Sequence, residues 1–595
     1  MLSPRRVVRN ARLLLQSALQ HLVDDPALLA VQVSRRMPFK ARIRAGGALL
    51  AVASRIPSGG GVAALGAHMA GDEASATEQI ARGARSRLGG EVAILLQRTD
   101  LLPEDSSPVT RARAAWARGD LSAALRILET AGKGQSRYAR RIRSELALLN
   151  PGYRLPVTAV CTTRPDRARG EKLRVLHLLT NSLPHTQSGY SLRSHRILTS
   201  LAQQGINSVA LTRTGYPVMI GSALAEDEDI VDGIRYVRTL PSRLPQTQED
   251  RLQAEVARAL ELVDEFRPHV LHATTNYYNA LVARAISDAT GIPWVLEVRG
   301  LMEQTWTASR KSASEREMLR EAEKVRLVAS RESELAADAV AVVTLSETMR
   351  DELIHRGVPA RAITVVPNGV ESALLSRGLS PTGARARIDI DVQDAIVVGT
   401  VSALVGYEGL DVLLRASARL IADDRLPRHV RDKLRVLIVG DGVAAPGLRL
   451  LARELGIEDR VTMPGRVSRE SAPDWVQALD IVVVPRLDVD VARTVTPQKP
   501  IEAMALGRPV IISDLPALVE TVTGKNGTVC AVTHRAGSAE GLADAIVSMI
   551  ENPDLTAERV ARGLDVATSR TWSSLITRYA GLYTAVSTEE GNQRA

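Results

Sequence analysis

The stretch IVVVPRLDVDVARTVTPQKPIEAMALGRPVIISD, from Ile481 to Asp514, decides the fold of this chain. Its first residues, Ile481–Val484, are β-branched and apolar, which predicts a short buried strand ended by Pro485. PIEAMALG predicts a helix that begins at Pro500 and is stopped by Gly507. RPVIIS then predicts the next strand. Strand, loop, helix and strand in this order form the unit of a parallel sheet.

The loop and the helix of this unit carry charges that suit a nucleotide. Arg486 and Lys499 lie in the loop, and Glu502 lies in the first turn of the helix. A helix N-terminus with cations beside it favours a diphosphate. A carboxylate at the same place can accept hydrogen bonds from two ribose hydroxyls. The stretch therefore predicts a site for a nucleoside diphosphate that carries a sugar.

This stretch resembles the donor-site signature of the family-4 glycosyltransferases, which have the GT-B fold. The resemblance extends from about Lys172 to Ala585. It implies an α/β fold of two Rossmann-like domains facing a cleft, with a hinge at Pro367–Val370. The variant VTPQKPIEAM is similar to a subgroup tied to bacterial surface-polysaccharide assembly.

Two motifs depart from the family pattern. The family has two glutamates separated by seven residues; Glu502 matches the second, whereas Thr494 occupies the first. The usual family loop also carries an arginine and a lysine that hold the diphosphate, the lysine in a K-G pair. Here the corresponding stretch holds Ser402 and Tyr407–Glu408–Gly409, with Glu408 at the position of the lysine. We therefore expect Arg486 and Lys499 to replace the missing cations at the diphosphate.

The resemblance also implies a set of site residues at strand ends and in the loops that follow them. The donor-binding set is Gly189, Ser402, Glu408, Gly440, Gly442, Arg486, Thr494, Thr496, Lys499 and Glu502. The catalytic set is Glu502 with His272 and Arg299, the last two from strands of the first domain on the opposite side of the cleft. The backbone of Met463–Val467 is expected to line the base pocket.

Composition shifts divide the chain into five segments. We expect a mainly α-helical accessory and membrane-associating region over 1–150, a linker over 151–170, an acceptor domain over 171–380, a donor domain over 381–565, and a crossing helix with a tail over 566–595. In the first segment, Ala112–Ala131 predicts a tetratricopeptide-type helix pair that turns at Gly119–Asp120. One such pair needs support from neighbours, because arrays of this kind require about three repeats to be stable alone.

The excess positive charge lies in the N-terminal part of the chain. Residues 1–170 contain 27 Lys and Arg against 13 Asp and Glu, a net charge of +14, whereas the remainder contains 49 against 54, a net charge of −5. Such asymmetry favours an anionic partner, either a membrane or a nucleic acid. Aromatic residues make up only 3% of the chain, which argues against the stacking of bases and so against nucleic acid.

A basic amphipathic helix is predicted at 4–23. Its apolar positions at helical spacing are Val7, Val8, Ala11, Leu14, Leu15, Ala18, Leu19 and Leu22, and its arginines lie elsewhere around the helix. This pattern has two interpretations. The helix either lies on an anionic membrane or packs its apolar face on neighbouring helices and leaves a basic face in solvent. The basic run Arg35–Arg44 favours the membrane.

The location that we expect is the cytoplasm, with peripheral attachment to the inner face of the plasma membrane. Two distant cysteines, Cys161 and Cys530, indicate neither a disulfide framework nor a cysteine metal site. The stretch Gly46–Ser54 is too short for a membrane span. We also expect no signal peptide, since no long apolar segment precedes a cleavage site.

The resemblance implies transfer of a hexose from a nucleotide-diphosphate sugar to an acceptor hydroxyl, with retention and without a cofactor or a metal. The expected acceptor is lipid-linked or a saccharide. Asp488–Val489–Asp490 forms a D-x-D, a metal-binding motif on another glycosyltransferase fold, but outside that context a polar loop is the better interpretation.

Two alternative functions remain open. One is a nucleotide-sugar epimerase or hydrolase on the same fold, for which Glu297 and Glu408 are acid–base candidates. The other is a non-catalytic scaffold with a degenerate transferase body. The missing first glutamate and the missing lysine favour the scaffold, whereas the intact PIEAMALG motif argues against it.

Overall fold

A computed structural model describes residues 4–24, 26–34, 39–56, 59–157, 171–390, 392 and 394–588. Most of the expected linker at 151–170 and Cys161 lie outside the described residues, as does part of the basic run at 35–44. The described chain consists of a helical N-terminal region and two α/β domains.

Helices alone form the described N-terminal region. They are α1 (Pro4–Asp24), α2 (Pro26–Ser34), α3 (Phe39–Ala53), α4 (Gly60–Ala70), α5 (Glu73–Gly83), α6 (Arg87–Leu95), α7 (Pro108–Ala117), α8 (Leu121–Thr130) and α9 (Arg137–Leu149). The predicted pair is α7 and α8, joined by a turn in which Gly119 has φ +85°. Side chains of Ser107 and Ser136 accept hydrogen bonds from the first turns of α7 and α9, which fixes where these helices begin.

The pair α7 and α8 packs with α9 against the first α/β domain. Leu121, Leu128 and Ile142 are buried in the same apolar cluster as the helices of that domain. Lys324 of the domain lies 4.4 Å from the ring of Trp116, a cation–π contact. The support that a single helix pair needs is therefore provided by the α/β domain.

The first α/β domain contains an eight-stranded sheet in the order β3-β4-β2-β1-β5-β6-β7-β8. Its pairs are parallel except β3 with β4. The strands are β1 (Arg174–Leu179), β2 (Asn207–Thr212), β3 (Glu228–Val231), β4 (Ile234–Arg238), β5 (Val270–Thr274), β6 (Trp294–Val298), β7 (Ala341–Thr344) and β8 (Ile363–Val365). The helices are α10 (Gly189–Gln203), α11 (Gln248–Phe266), α12 (Tyr277–Thr290), α13 (Met302–Ala308), α14 (Ala313–Leu319), α15 (Glu323–Asp338) and α16 (Glu347–His355).

The second domain contains a separate parallel sheet in the order β11-β10-β9-β12-β13-β14. Its strands are β9 (Ile396–Val401), β10 (Leu434–Val439), β11 (Val461–Gly465), β12 (Ile481–Val484), β13 (Val510–Ser513) and β14 (Val532–His534). The helices are α17 (Ser372–Leu375), α18 (Pro381–Arg387), α19 (Leu410–Ala422), α20 (Arg428–Arg431), α21 (Ala445–Glu454), α22 (Ala472–Gln477), α23 (Asp490–Thr494), α24 (Lys499–Ala505), α25 (Pro516–Thr521), α26 (Ala539–Glu551) and α27 (Pro553–Ser569). The last helix of the described chain, α28 (Trp572–Ser587), follows them.

The predicted α/β fold with two Rossmann-like domains is confirmed. A single sheet through both halves would have contradicted it, but the two described sheets are separate. The two strands and the helix predicted in the deciding stretch are found as β12 at Ile481–Val484, α24 at Lys499–Ala505 and β13 at Val510–Ser513, but the predicted polar loop contains a short helix, α23. Gly507 follows α24 with φ +65°, a left-handed conformation that ends the helix.

The last helix, α28, returns to the first domain and packs on α10 and β5. Tyr579 and Tyr583 of α28 are fully buried in an apolar cluster with residues of β1, β5 and β7. At the crossing between the domains, Val370 pairs with Thr571. Asn368, in the same Pro367–Val370 turn, donates a hydrogen bond from Nδ2 to the backbone oxygen of Thr496 at 3.0 Å.

Candidate donor site

Three predicted donor residues form a charged cluster at the carboxyl end of β12. Arg486, two residues past the strand, places Nη2 3.0 Å and Nε 3.4 Å from the two carboxylate oxygens of Glu408. Lys499 contacts the same carboxylate through Nζ and also donates to Ser402 Oγ at 2.8 Å. Glu408, from the crossover between β9 and β10, thus lies between two cations from the crossover between β12 and β13.

The charges in this cluster stabilise one another. Burial alone would raise the pKa of Glu408, but Arg486 and Lys499 outweigh this effect and hold its pKa at about 2. Burial lowers the pKa of Lys499, while the carboxylate of Glu408 opposes that shift. The family lysine is therefore replaced by an acid whose partners supply two positive charges.

The glycines Gly440 and Gly442 allow two loops of the donor domain to approach closely. A Cβ atom on Gly440, where φ is +134°, would lie 1.8 Å from the backbone oxygen of Ser402. A Cβ on Gly442 would lie 2.2 Å from the backbone oxygen of Leu404. Any side chain at either position would separate the loop after β10 from the loop after β9, which carries Ser402.

Glu502 has a different environment from Glu408. It is half-buried in α24, and none of the described residues donates a hydrogen bond to its carboxylate. Desolvation raises the pKa of Glu502 to about 7, and the nearby charges of Arg196 and Lys499 only partly oppose this shift. The carboxylate is therefore available to hydroxyl groups of a ligand.

Thr494 and Thr496 connect the donor domain to the first domain. Thr494 Oγ1 donates a hydrogen bond to Oε1 of Gln304 in α13 at 2.6 Å. Thr496 accepts from Asn368 through its backbone oxygen. The position of the family's first glutamate is thus used in a contact across the cleft.

Gly189 lies at the start of α10, on the opposite side of the cleft. A Cβ atom built on it would lie 3.9 Å from Oε1 of Gln498, directly before α24. About two turns further along α10, Arg196 contacts Glu371 beside the hinge. The helix α10 therefore brings Arg196 towards Glu502, which sequence analysis missed; two arginines three residues apart, Arg193 and Arg196, were the available signal.

His272 and Arg299 occupy a buried network, so the structure does not place them at the cleft surface where they were predicted. His272 is 0% exposed. Its Nε2 lies 3.0 Å from Glu297 Oε2, and its Nδ1 lies 2.8 Å from the hydroxyl of Tyr583. Arg299 donates through Nη2 to Glu297 at 2.7 Å, and its own side chain is 3% exposed.

The centre of this network is Glu297, which is 0% exposed. Burial raises its pKa, but Arg299, Arg193 and His272 outweigh burial and hold the pKa well below the usual range. Tyr579 of the crossing helix also donates to it, at 2.8 Å. These contacts attach α28 to the first domain and leave neither ring nitrogen of His272 for a substrate.

The D-x-D motif is neutralised by arginines. Asp488 accepts from Arg493 at 2.5 and 2.6 Å, and Asp490 accepts from Arg320 of the first domain at 3.0 and 2.7 Å. Asp488 lies in the loop that precedes α23, whereas Asp490 is the first residue of that short helix, so the expected polar loop is in part helical.

Two family profiles match the chain. "Glycosyl transferase 4-like domain" matches residues 188–369, and "Glycosyl transferases group 1" matches residues 395–552. The chain belongs to the GT-B glycosyltransferases of this family group. The two profiles coincide with the two α/β domains, and the second includes the cluster of Glu408, Arg486 and Lys499.

Curated relatives of this GT-B chain include two enzymes named for inositol phosphate. "D-inositol 3-phosphate glycosyltransferase 2" of Catenulispora acidiphila is 32% identical over 254 residues, which is 42% of this chain and 56% of the relative. "D-inositol 3-phosphate glycosyltransferase" of Streptomyces coelicolor is 31% identical over 241 residues, 39% of this chain and 50% of the relative. The chain thus spans about half the length of the curated relatives it matches.

Solved GT-B structures support the fold. HepE of Anabaena, in complex with UDP and glucose, aligns with a TM-score of 0.52 and 18% identity over 69% of this chain and 100% of its own. Sucrose-phosphate synthase of Thermosynechococcus elongatus aligns with a TM-score of 0.54 and 18% identity over 69% and 99%.

Proposed function

We propose that this protein transfers a hexose from a nucleoside-diphosphate sugar to an acceptor hydroxyl, with retention. One observation carries the proposal. At the carboxyl end of the donor sheet, Arg486 and Lys499 contact Glu408, and Lys499 also lies near Glu502, a carboxylate without a hydrogen-bond partner among the described residues. Cations suit a diphosphate, and an available carboxylate suits the hydroxyls of a ribose.

Each donor residue has a role in this proposal. Arg486 and Lys499 contact the diphosphate, Glu502 accepts from the ribose, and the backbone of Met463–Val467 borders the base. UDP is the first nucleotide to test, because HepE is known in complex with UDP and glucose. The positive charges of Arg486 and Lys499 stabilise the departing nucleoside diphosphate.

The chemical step needs no protein nucleophile. The bond from the anomeric carbon to the phosphate oxygen breaks, and a bond from the acceptor oxygen forms on the same face of the sugar. The acceptor proton moves to the leaving phosphate. The protein contributes positioning and charge stabilisation. In this proposal Arg486 and Lys499 supply the positive charge at the diphosphate, and no metal is needed.

The contacts of the two candidate acids weigh against an epimerase or hydrolase. Such an enzyme needs carboxyl groups that exchange protons with substrate. Glu297 is enclosed by Arg193 and Arg299, and Glu408 has a pKa of about 2 between its two cations. Neither side chain is suited to donate a proton near neutral pH, so neither of the two predicted acids supports an epimerase or a hydrolase.

The acceptor and the location are further parts of the proposal. The VTPQKPIEAM variant supports a lipid-linked or saccharide acceptor in surface-polysaccharide or glycolipid synthesis, and the relatives named for inositol phosphate make inositol phosphate another acceptor to test. The proposed location is the cytoplasmic face of the plasma membrane. No helix in the described part of the chain is both long and apolar enough to cross a bilayer.

Thermal unfolding with a panel of nucleotide sugars tests the proposal. A donor at a hundred times its Kd adds about 2.7 kcal/mol to stability. We expect UDP and one UDP-sugar to raise Tm, and the UDP-sugar to be consumed when candidate acceptors are added. If none of the nucleoside diphosphates raises Tm, the proposed function is wrong.

A further inference from the structure

Helix α1 packs on the first α/β domain through its polar side. The buried side chains facing that domain include Asn10, Ser17 and Gln20, with Leu13 among them. Asn10 Nδ2 donates to the backbone oxygen of Ala225 at 2.8 Å and also lies 3.1 Å from that of Ala223. An ordinary surface helix buries its apolar face instead.

Hydrogen bonds and ion pairs hold α1 in this orientation. Gln20 Oε1 accepts from Arg251 at 3.0 Å, and Gln16 Oε1 accepts from the backbone nitrogen of Leu244 at 2.8 Å. Two arginines of α1, Arg6 and Arg9, form ion pairs with Asp227 of the domain at 2.9 and 2.6 Å. The inner side of α1 is thus satisfied by specific polar contacts, which fixes the rotation of the helix.

The apolar side of α1 consequently faces outward. Five large apolar residues of the helix are exposed: Val7 by 41%, Val8 by 60%, Leu15 by 59%, Leu19 by 49% and Leu22 by 53%. At 3.6 residues per turn they fall within roughly 120° of the helix circumference, as one continuous stripe. We call this stripe the outer face of α1. A contiguous exposed apolar surface of this kind marks a site of interaction.

The charges that α1 itself carries along the outer face have a single sign, up to Leu22. Arg5 and Arg12 are exposed on α1, and no acidic residue occurs between Pro4 and Leu22. Together with the net charge of +14 over residues 1–170, this arrangement is complementary to an anionic surface. Apolar side chains bordered by arginines match the boundary between headgroups and acyl chains.

We propose that the outer face of α1 is a preformed docking surface for an anionic lipid bilayer. This deepens the membrane part of the proposed function, because it names the element and the face that bind. Helix α1 keeps its contacts with the α/β domain when it binds, so that the cleft is held at the membrane without rearrangement of the helix. A second helix, α3, also exposes apolar side chains, at Ile43, Leu50 and Val52.

Flotation of the full chain with vesicles tests the docking surface. The vesicles are phosphatidylcholine alone and phosphatidylcholine with phosphatidylglycerol. The first variant combines Leu15→Asp and Leu19→Asp. Removal of two half-exposed leucines from lipid contact weakens binding to anionic vesicles by about a hundredfold. Leu555→Asp is the matched control, because Leu555 is 41% exposed on α27, far along the chain, and should leave binding unchanged.

A charge variant keeps the test valid if acidic residues disturb α1. Arg5→Gln with Arg12→Gln leaves the buried side of the helix intact and weakens binding roughly fivefold per arginine, an effect that high salt also produces. Equal binding of parent and variants, or equal binding to both kinds of vesicle, would overturn the proposal. So would a parent dimer without lipid that the leucine variant abolishes, because a second copy would then cover the outer face. Flotation requires no donor, so these outcomes are independent of the transferase activity.

Discussion

The charged cluster at the donor site makes Glu408→Gln the sharpest perturbation. Glu408 is 5% exposed and is the shared partner of Arg486 and Lys499. Glutamine keeps the shape of the side chain but removes its charge, so that two positive groups remain close together in a buried position. Loss of one partner from a buried ion pair typically destabilises a protein by about 3–5 kcal/mol.

The expected shift in Tm follows from that range. A domain of about 150–250 residues loses roughly 2–4 °C per kcal/mol, so Glu408→Gln should melt about 6–20 °C below the parent. A diphosphate brings negative charge to the two cations. We therefore expect UDP to raise the Tm of the variant by more than it raises the Tm of the parent. Differential scanning fluorimetry with and without UDP measures both effects.

The control for this experiment is Glu454→Gln. Glu454 is exposed at the end of α21 in the same domain, and the same chemical change there should alter neither Tm nor the UDP shift. If Glu408→Gln melts with the parent, the cluster contributes no electrostatic stability. If the variant is destabilised but UDP raises both proteins equally, the cations stabilise the domain without binding the diphosphate.

Three further predictions concern the cleft. Glu502→Ala should lower kcat/KM about ten- to a hundredfold, which is the effect of losing one charged hydrogen bond of about 1.5–3 kcal/mol. Glu502→Gln and Thr494→Ala should lower kcat/KM by less. An unchanged turnover in Glu502→Ala would refute the ribose role. Because desolvation raises the pKa of Glu502 to about 7, kcat/KM should rise with pH through 7, as the carboxylate forms. Protonation of Glu502 contributes stability that is present below about pH 4.5 and is lost as pH rises through 7. Glu502→Gln should therefore melt above the parent at pH 8 but not at pH 5. Glu520 of the donor domain accepts hydrogen bonds from the backbone nitrogens of Glu347 and Thr348, at the start of α16, at 2.7 and 2.9 Å. Glu520→Ala should remove this helix cap, which is worth about 1 kcal/mol, and open the cleft. Solution scattering would show the opening as a larger radius of gyration.

Local patterns predicted the donor half of the molecule well. Strand β12 begins and ends at the predicted residues, because Pro485 interrupts the β-branched run, and α24 ends before a glycine with positive φ. These boundaries depend on residues adjacent in sequence. The prediction that Lys499 lies near the diphosphate loops was possible for the same reason, since it belongs to the crossover that follows β12.

The positions of His272 and Arg299 could not be predicted in this way. Arg299 follows the end of β6, as expected, but His272 is the central residue of β5. Tyr583 reaches it from 311 residues further along the chain. Which strand ends remain open to the cleft depends on where the last helix crosses, and that is a long-range property. The rotation of α1 was undetermined for a related reason. Periodicity separates two faces of a helix, but contacts distant in sequence, such as those of Asn10 with the backbone oxygens of Ala223 and Ala225, decide that the polar face is buried.

The exchange of charges at the donor site bears on whether the transferase body is degenerate. In the sequence alone, the absence of the K-G lysine favours a protein that has lost its diphosphate-binding site. In the structure Glu408 occupies that position and contacts Lys499, which comes from another crossover. Burial lowers the pKa of Lys499, and the carboxylate opposes this shift. A lysine in such a place needs a neighbouring acid to remain charged. The glutamate is therefore the counterpart of a relocated cation, and its presence supports a functional donor site.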